Sequence, residues 1–189
     1  FHKENPDDIE VKAICDIDEK KLNELGDKFN IPKENRYTHI GKMLKEADIN
    51  TVDICLHNNM HAPVAIAAME AGMDVYGEKP MAGSYADALS MYETMQKTGK
   101  KLHVQIWSLY SNDTKAAKRF IDNGDLGRIY HMRSYGFRRR GRPYVDGYGS
   151  KEFDNTKTAG GGALFDMGVY HIAQLLFLTG LPELERVSG

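Results

Sequence analysis

A short β-branched run, Val75-Tyr76-Gly77, ends abruptly in Glu78, Lys79 and Pro80. A lysine at the end of a buried strand is costly unless its charge is paired. It is therefore either a proton-handling group in a cleft or the structural ion-pair partner of Glu78. A second set follows Gly160-Gly161-Gly162, where Asp166, Tyr170 and His171 fall close together. Asp166 and Tyr170 are four residues apart and share one face of a helix, whereas His171, five from Asp166, points away. Glycines at that helix start permit close approach of a ligand or another backbone, although a plain helix entry with a surface Asp and a half-buried Tyr fits the same pattern. Asp16 closes an earlier apolar stretch. Placed there, it can accept both hydroxyls of an adenosine ribose, or act as a helix N-terminal acid favoured by the macrodipole. His57, Asn58 and His61 follow another apolar run and suit the lining of a cofactor crevice. The spacing of the two histidines also fits a metal pair, but no carboxylate accompanies them, and no metal is expected.

Positioning these groups requires strands that alternate with helices. Ile9 to Cys15 reads as a strand, and Asp18 as the N-cap of a helix from Glu19 to Phe29. A short helix from Ile40 to Ala47 follows, then a strand Thr51 to Leu56, a helix His61 to Ala71 stopped by Gly72, and a strand Met73 to Tyr76. Ser84 caps a helix from Tyr85 to Lys97, and Leu102 to Trp107 reads as a strand. This alternation indicates parallel βαβ units, whose ligands sit beyond the carboxyl ends of the strands. After about Gln105 the character changes. A helix Thr114 to Asp122, a longer strand Arg128 to Phe137, a Gly- and Arg-rich ordered loop from Arg138 to Thr158, and a helix from Ala163 to Leu178 are expected. The loop's Arg138, Arg139, Arg140 and Arg142 would orient an acidic or polyhydroxylated ligand, or lie solvated or against carboxylates.

Bulk composition narrows the partners. The 189 residues carry 25 Lys and Arg against 27 Asp and Glu, a formal net charge of −2, so nothing points to nucleic acid or a membrane surface. The two cysteines, Cys15 and Cys55, read as small buried hydrophobes rather than a disulfide framework. No apolar stretch approaches the ~20 residues of a membrane span, and the polar N-terminus does not read as a signal peptide. A cytoplasmic protein is the expectation.

Taken together, the motifs resemble the glucose–fructose oxidoreductase and inositol dehydrogenase family. The resemblance rests on Ala13-Ile14-Cys15-Asp16, Val52-Asp53-Ile54-Cys55, His61-Ala62-Pro63, Glu78-Lys79-Pro80-Met81-Ala82, Gly124-Asp125-Leu126-Gly127, Arg138-Arg139-Arg140-Gly141 and Gly160-Gly161-Gly162-Ala163-Leu164-Phe165-Asp166-Met167-Gly168. It implies an α/β protein: a partial Rossmann domain with a parallel sheet over residues 1–105, then over 106–189 the start of a substrate-binding and oligomerisation domain with a mainly antiparallel open sheet. On that reading the first strand and the G-x-G-x-x-G loop precede Phe1, and the expected piece alone binds dinucleotide poorly and is inactive. Lys79 matches the family's catalytic lysine and Asp166 the aspartate of its D-x-G-x-H pattern; Tyr170 stands at the histidine, with His171 displaced by one. Gln174 replaces a later acid, and Leu56-His57-Asn58 stands for the family's T-P-N.

The implied cofactor is NAD, with NADP allowed, and Asp16 favours NAD by repelling a 2′-phosphate. The implied cofactor contacts are Asp16, Ile17, His57 and Asn58, joined by His61, Glu78, Lys79 and Trp107. The implied activity is reversible oxidation of a secondary hydroxyl on a sugar or cyclitol. Tyr170 would be the acid/base, tuned from its ordinary value of about 10 by Lys79, with Asp166 holding Lys79 or the substrate hydroxyl. A homodimer or homotetramer through the second sheet is implied as well. Two other readings remain: a non-catalytic sugar-binding relative without cofactor, and an NAD-dependent glycosidase.

Overall fold

A computed structural model describes residues 7–137 and 151–188 of the chain. The arginine run from Arg138 to Arg142 lies outside the described residues. In chain order the elements are β1 (Ile14–Cys15), α1 (Glu19–Lys28), β2 (Arg36–Tyr37), α2 (Ile40–Glu46), β3 (Thr51–Ile54), α3 (Asn58–Glu70), β4 (Asp74–Gly77), α4 (Tyr85–Thr98), β5 (Leu102–Val104), α5 (Asn112–Asp122), α6 (Thr156–Ala159) and α7 (Val169–Thr179). A 3₁₀ turn spans Trp107–Tyr110, and a π-helical segment, Leu164–Gly168, leads into α7. The chain forms two compact units, one of Phe1–Ile54, Ala62–Gly77 and Leu89–His103, the other of Cys55–His61, Glu78–Ala88 and Val104–Gly189.

The first unit is a Rossmann-like α/β arrangement. β1 runs parallel to β2, with Ile14 opposite Arg36, and β3 runs parallel to β4, with Asp53 opposite Tyr76 and Ile54 opposite Gly77. β5 lies beside β4 in the second sheet. Burial alternates along the strands, so Val52, Ile54 and Val75 enter the core while Thr51, Asp53 and Tyr76 face outward. Tyr76 stacks on His103 with ring centroids 4.9 Å apart. Small and flexible side chains fill the rest of this core: Ala65 and Ala68 are 0% exposed and Met69 1%. Helix ends follow local chemistry. Asp18 caps α1 by accepting from the Lys20 and Lys21 N–H groups, and Ser84 Oγ accepts from Asp87 N–H while donating to the Asp87 carboxylate. Gly72, at φ 90°, stops α3.

Several expected boundaries move. The strand read from Ile9 to Cys15 is laddered only at Ile14 and Cys15, the residues opposite Arg36 and Tyr37. α3 begins at Asn58, one turn before His61, so Pro63 lies inside the helix. Trp107 is on the 3₁₀ turn and not in a strand. Neither cysteine is fully buried, since Cys15 is half-buried and Cys55 exposed.

In the second unit, α5 is capped by Ser111, whose side chain accepts from Thr114 N–H. Thr114, 1% exposed, accepts in turn from Gln174 Nε2 on α7 at 2.7 Å. The strand expected from Arg128 to Phe137 is not laddered, and no antiparallel sheet is present among the described residues. The segment does carry strand-like alternation: Arg133 bonds His131 and Tyr135, and Tyr135 stacks on Phe137, all at i, i+2 spacing. What it lacks is a neighbouring strand, which a sequence period cannot supply.

The stretch Thr156–Thr179, 24 residues long, reaches a mean hydropathy of 1.2, enough by length and composition for a membrane span, contrary to the sequence reading. Its backbone is interrupted, however, at Gly160 (φ 76°) and Gly162 (φ 60°), and Asp166 within it is ion-paired. A span needs ~20 residues of continuous helix, which this stretch does not provide.

Candidate active site

Glu78 and Lys79 leave the end of β4, and the Lys79–Pro80 peptide is cis. Lys79 Nζ donates to Asp166 Oδ1 at 2.6 Å and to the Asp166 carbonyl at 2.7 Å. Both side chains are mostly withdrawn from solvent, at 14% exposure for Lys79 and 24% for Asp166. A charge-assisted pair of this kind offsets the desolvation of both ions only when its geometry is fixed. Asp166 fixes it with two acceptors, because the π-helical turn presents its carbonyl and its carboxylate to the same ammonium. Glu78, the other partner open on sequence grounds, accepts instead from the Lys79 backbone N–H at 3.3 Å.

The ammonium also lies over the ring of Tyr170, 5.0 Å from its centroid, a cation–π geometry. Trp107 approaches the same ring at 6.0 Å with a tilt of 56°, and its own indole is 59% exposed. Asp166 and Tyr170 therefore come together around the Lys79 cation, with Trp107 against the Tyr170 ring. His171 does not join them. Its Nδ1 is 2.6 Å from Ser134 Oγ, and its other ring nitrogen fills the space a Cβ at Gly136 would occupy.

The polar residues after β3 are used inside the fold. Asn58 Nδ2 donates to the Ala159 carbonyl at 2.7 Å. His61 Nδ1 and Nε2 lie 2.7 Å and 3.0 Å from the carbonyls of Pro80 and Leu56. His57 is exposed, and its carbonyl accepts from Met60 N–H as α3 begins. One contact has no signal in the residue pattern: a Cβ on Gly160 would lie 3.0 Å from the Gly83 carbonyl, so the two backbones meet at a position already left-handed in φ. Both glycines are visible in the sequence; their meeting is not.

In the first unit, Asp16 directly follows β1. Its N–H donates to the Tyr37 carbonyl at 3.1 Å, and its Oδ1 accepts from Asp18 N–H at 2.8 Å. Ile17 beside it is 90% exposed. Burial, with the Asp16 charge adding to it, pushes the neighbouring Cys15 thiol up from its ordinary value.

Residues 2–106 match the family described as "Oxidoreductase family, NAD-binding Rossmann fold", and residues 114–189 match the GFO/IDH/MocA C-terminal domain. The chain belongs to this family. It is 30% identical over 182 residues to the D-glucoside 3-dehydrogenase of Escherichia coli strain K12, covering 96% of this chain and 50% of that protein. To the inositol 2-dehydrogenase of Salmonella typhimurium strain LT2 it is 34% identical over 131 residues, or 67% of this chain and 38% of that one. The solved myo-inositol 2-dehydrogenase from Lactobacillus plantarum aligns with a TM-score of 0.76 and 26% identity over 91% of this chain and 49% of that one. The chain thus spans half or less of the length of these relatives. The family resemblance carried by the Glu78-Lys79-Pro80 and Gly160-to-Gly168 strings is confirmed.

Proposed function

We propose that the protein is an NAD-dependent dehydrogenase that oxidises a secondary hydroxyl of a sugar or cyclitol. The observation that carries this reading is the Lys79 ammonium held between the Asp166 carboxylate and the Tyr170 ring. Relatives named D-glucoside 3-dehydrogenase and inositol 2-dehydrogenase support the substrate class.

The chain's residues suit the cofactor. Asp16 presents a carboxylate at the end of a parallel strand with one oxygen already fixed by Asp18 N–H, the arrangement that takes up ribose hydroxyls and repels a 2′-phosphate. Ile17, Glu78, the exposed Trp107, His57 and Lys79 are the further residues that would contact the dinucleotide. When bound, the nicotinamide accepts the hydride that leaves the carbinol carbon.

The proton is the task of this chain. As the phenolate, Tyr170 takes the hydroxyl proton as the C–H bond breaks and becomes the phenol, which returns the proton in the reverse direction. A phenol is too weak a base at neutral pH unless a cation stabilises its anion, and Lys79 lies over the ring to do so. Asp166 holds that ammonium in place and, with two of its protons occupied, leaves the third for the substrate oxygen. The strand-like alternation of residues 128–137 is in keeping with a mainly antiparallel sheet in the full-length protein, and the dimer or tetramer built on such a sheet rests on the family resemblance alone. Dependence on a dinucleotide is in keeping with a cytoplasmic location.

The test is a panel of sugars and cyclitols with NAD and the full-length protein, followed by absorbance of NADH. Reduction by one member of the panel is expected, with NADP used less well. Tight sugar binding with no reduction of either dinucleotide by any member would contradict the proposal and point to a non-catalytic sugar-binding protein.

A further inference from the structure

The first turn of α3 carries two buried polar side chains that the proposed proton transfer leaves without a task. Asn58 is 7% exposed and His61 3%. Spaced i, i+3, they lie on one side of the helix. Asn58 holds the carbonyl of Ala159, immediately before Gly160, at 2.7 Å. His61 reaches the carbonyl of Pro80, immediately after Lys79, at 2.7 Å, and that of Leu56 at 3.0 Å. A carbonyl only accepts, so the ring nitrogen that carries the proton is the donor, and a neutral imidazole donates to one of the two carbonyls at a time; both ring nitrogens face backbone oxygens. Between the two clamped carbonyls the backbones touch, at Gly83 against Gly160. Lys79 belongs to the first of these segments and Asp166 follows the second, so the 2.6 Å ion pair spans segments that α3 holds in register.

We propose that Asn58 and His61 are positioning residues, which clamp the Lys79 turn against the Gly160 corner and so keep the Lys79 ammonium on Asp166. The clamp stands on these contacts; only its catalytic consequence rests on the dehydrogenase reading.

Competitive acetylation by acetic anhydride tests it on the full-length protein without substrate or cofactor, each lysine being followed by mass spectrometry. The outcome is therefore independent of whether the protein is a dehydrogenase. In the native protein Lys79 should acetylate far more slowly than Lys20, whose side chain is 85% exposed. His61→Phe keeps a ring and removes the N–H donor; Asn58→Leu keeps the volume and removes the amide. Each should raise Lys79 acetylation relative to Lys20 by roughly tenfold, equivalent to about 1.4 kcal/mol. His61→Gln, which retains an N–H donor, should restore slow acetylation. Where circular dichroism shows that one variant does not fold, the other decides. An unchanged Lys79 rate in folded Asn58→Leu or His61→Phe overturns the proposal, as does a rise that His61→Gln leaves in place. Weakened dinucleotide binding with unchanged Lys79 acetylation also overturns it, and would make these two residues cofactor contacts as their sequence position suggests.

Discussion

The core of the first unit and the surroundings of Lys79 are both withdrawn from water, yet they are held in different ways. Around β3 and β4 the buried groups are Val52, Ile54, Val75, Ala65, Ala68 and Met69, all of them apolar. Their stabilisation grows with area removed from water and has no direction. Around Lys79 the contacts that fix it are directional: an ammonium on two oxygens of one aspartate, the same ammonium over a ring, an imidazole facing two carbonyls, and two glycine backbones meeting. The first region should tolerate a change of shape that conserves volume. The second should fail on a change of charge that conserves shape.

Substitutions can break or sharpen that contrast. The largest expected effect is in the apolar core, where Met69→Ala should lower stability by about 2–5 kcal/mol, read as the thermal midpoint, because Met69 is 1% exposed. Met69→Leu should stay below about 1.5 kcal/mol. Asp166→Asn conserves shape and removes the charge; turnover should fall by roughly a hundredfold, near 2.7 kcal/mol of barrier, and the melting temperature should fall as well, because the mostly buried Lys79 loses its counter-charge. If Met69→Leu proved as damaging as Met69→Ala while Asp166→Asn turned over normally, the contrast would be gone. Gly160→Ala adds a Cβ 3.0 Å from the Gly83 carbonyl at φ 76°, and should lower the denaturant midpoint by the equivalent of about 1–2 kcal/mol.

The smallest expected effect separates the two thiols. Cys15 is half-buried with its thiol pushed up, and Cys55 is exposed. Alkylation of Cys15 should lag behind Cys55 as pH passes the ordinary thiol value of about 8.5. Because the folded value is the higher one, the stability Cys15 contributes is present below the unfolded value and is lost as pH rises through the folded one. Equal alkylation rates would remove Cys15 from the protected interior.

Legibility in the sequence follows the same division. Signals that act within a few residues are readable: the Asp18 cap, the Ser84–Asp87 pair, the Gly72 stop and the apolar β3 and β4 stretches. The family, too, is legible, because Glu78-Lys79-Pro80 and the Gly160-to-Gly168 string are local in sequence. What depends on distant partners is not. Residues 128–137 have the period of a strand but no adjacent strand to ladder with among the described residues. The helix read from His61 starts one turn earlier, where the bonds of Asn58 and His61 to Ala159 and Pro80 accompany it. The pairing of Lys79 with Asp166 rather than Glu78 turns on a π-helical turn whose position nothing in Leu164 to Gly168 announces.

The central claim is that Lys79 handles charge in the reacting complex and does more than help hold the dinucleotide. Its most direct test is the single-turnover rate of hydride transfer in full-length Lys79→Met, with the dinucleotide Kd measured on the same samples. The expected result is a rate lower by about 10²- to 10⁴-fold with Kd weakened far less than the rate. A near-native rate accompanied by a weakened Kd would contradict it, leaving Lys79 a binding contact and the Asp166 pair a structural tie.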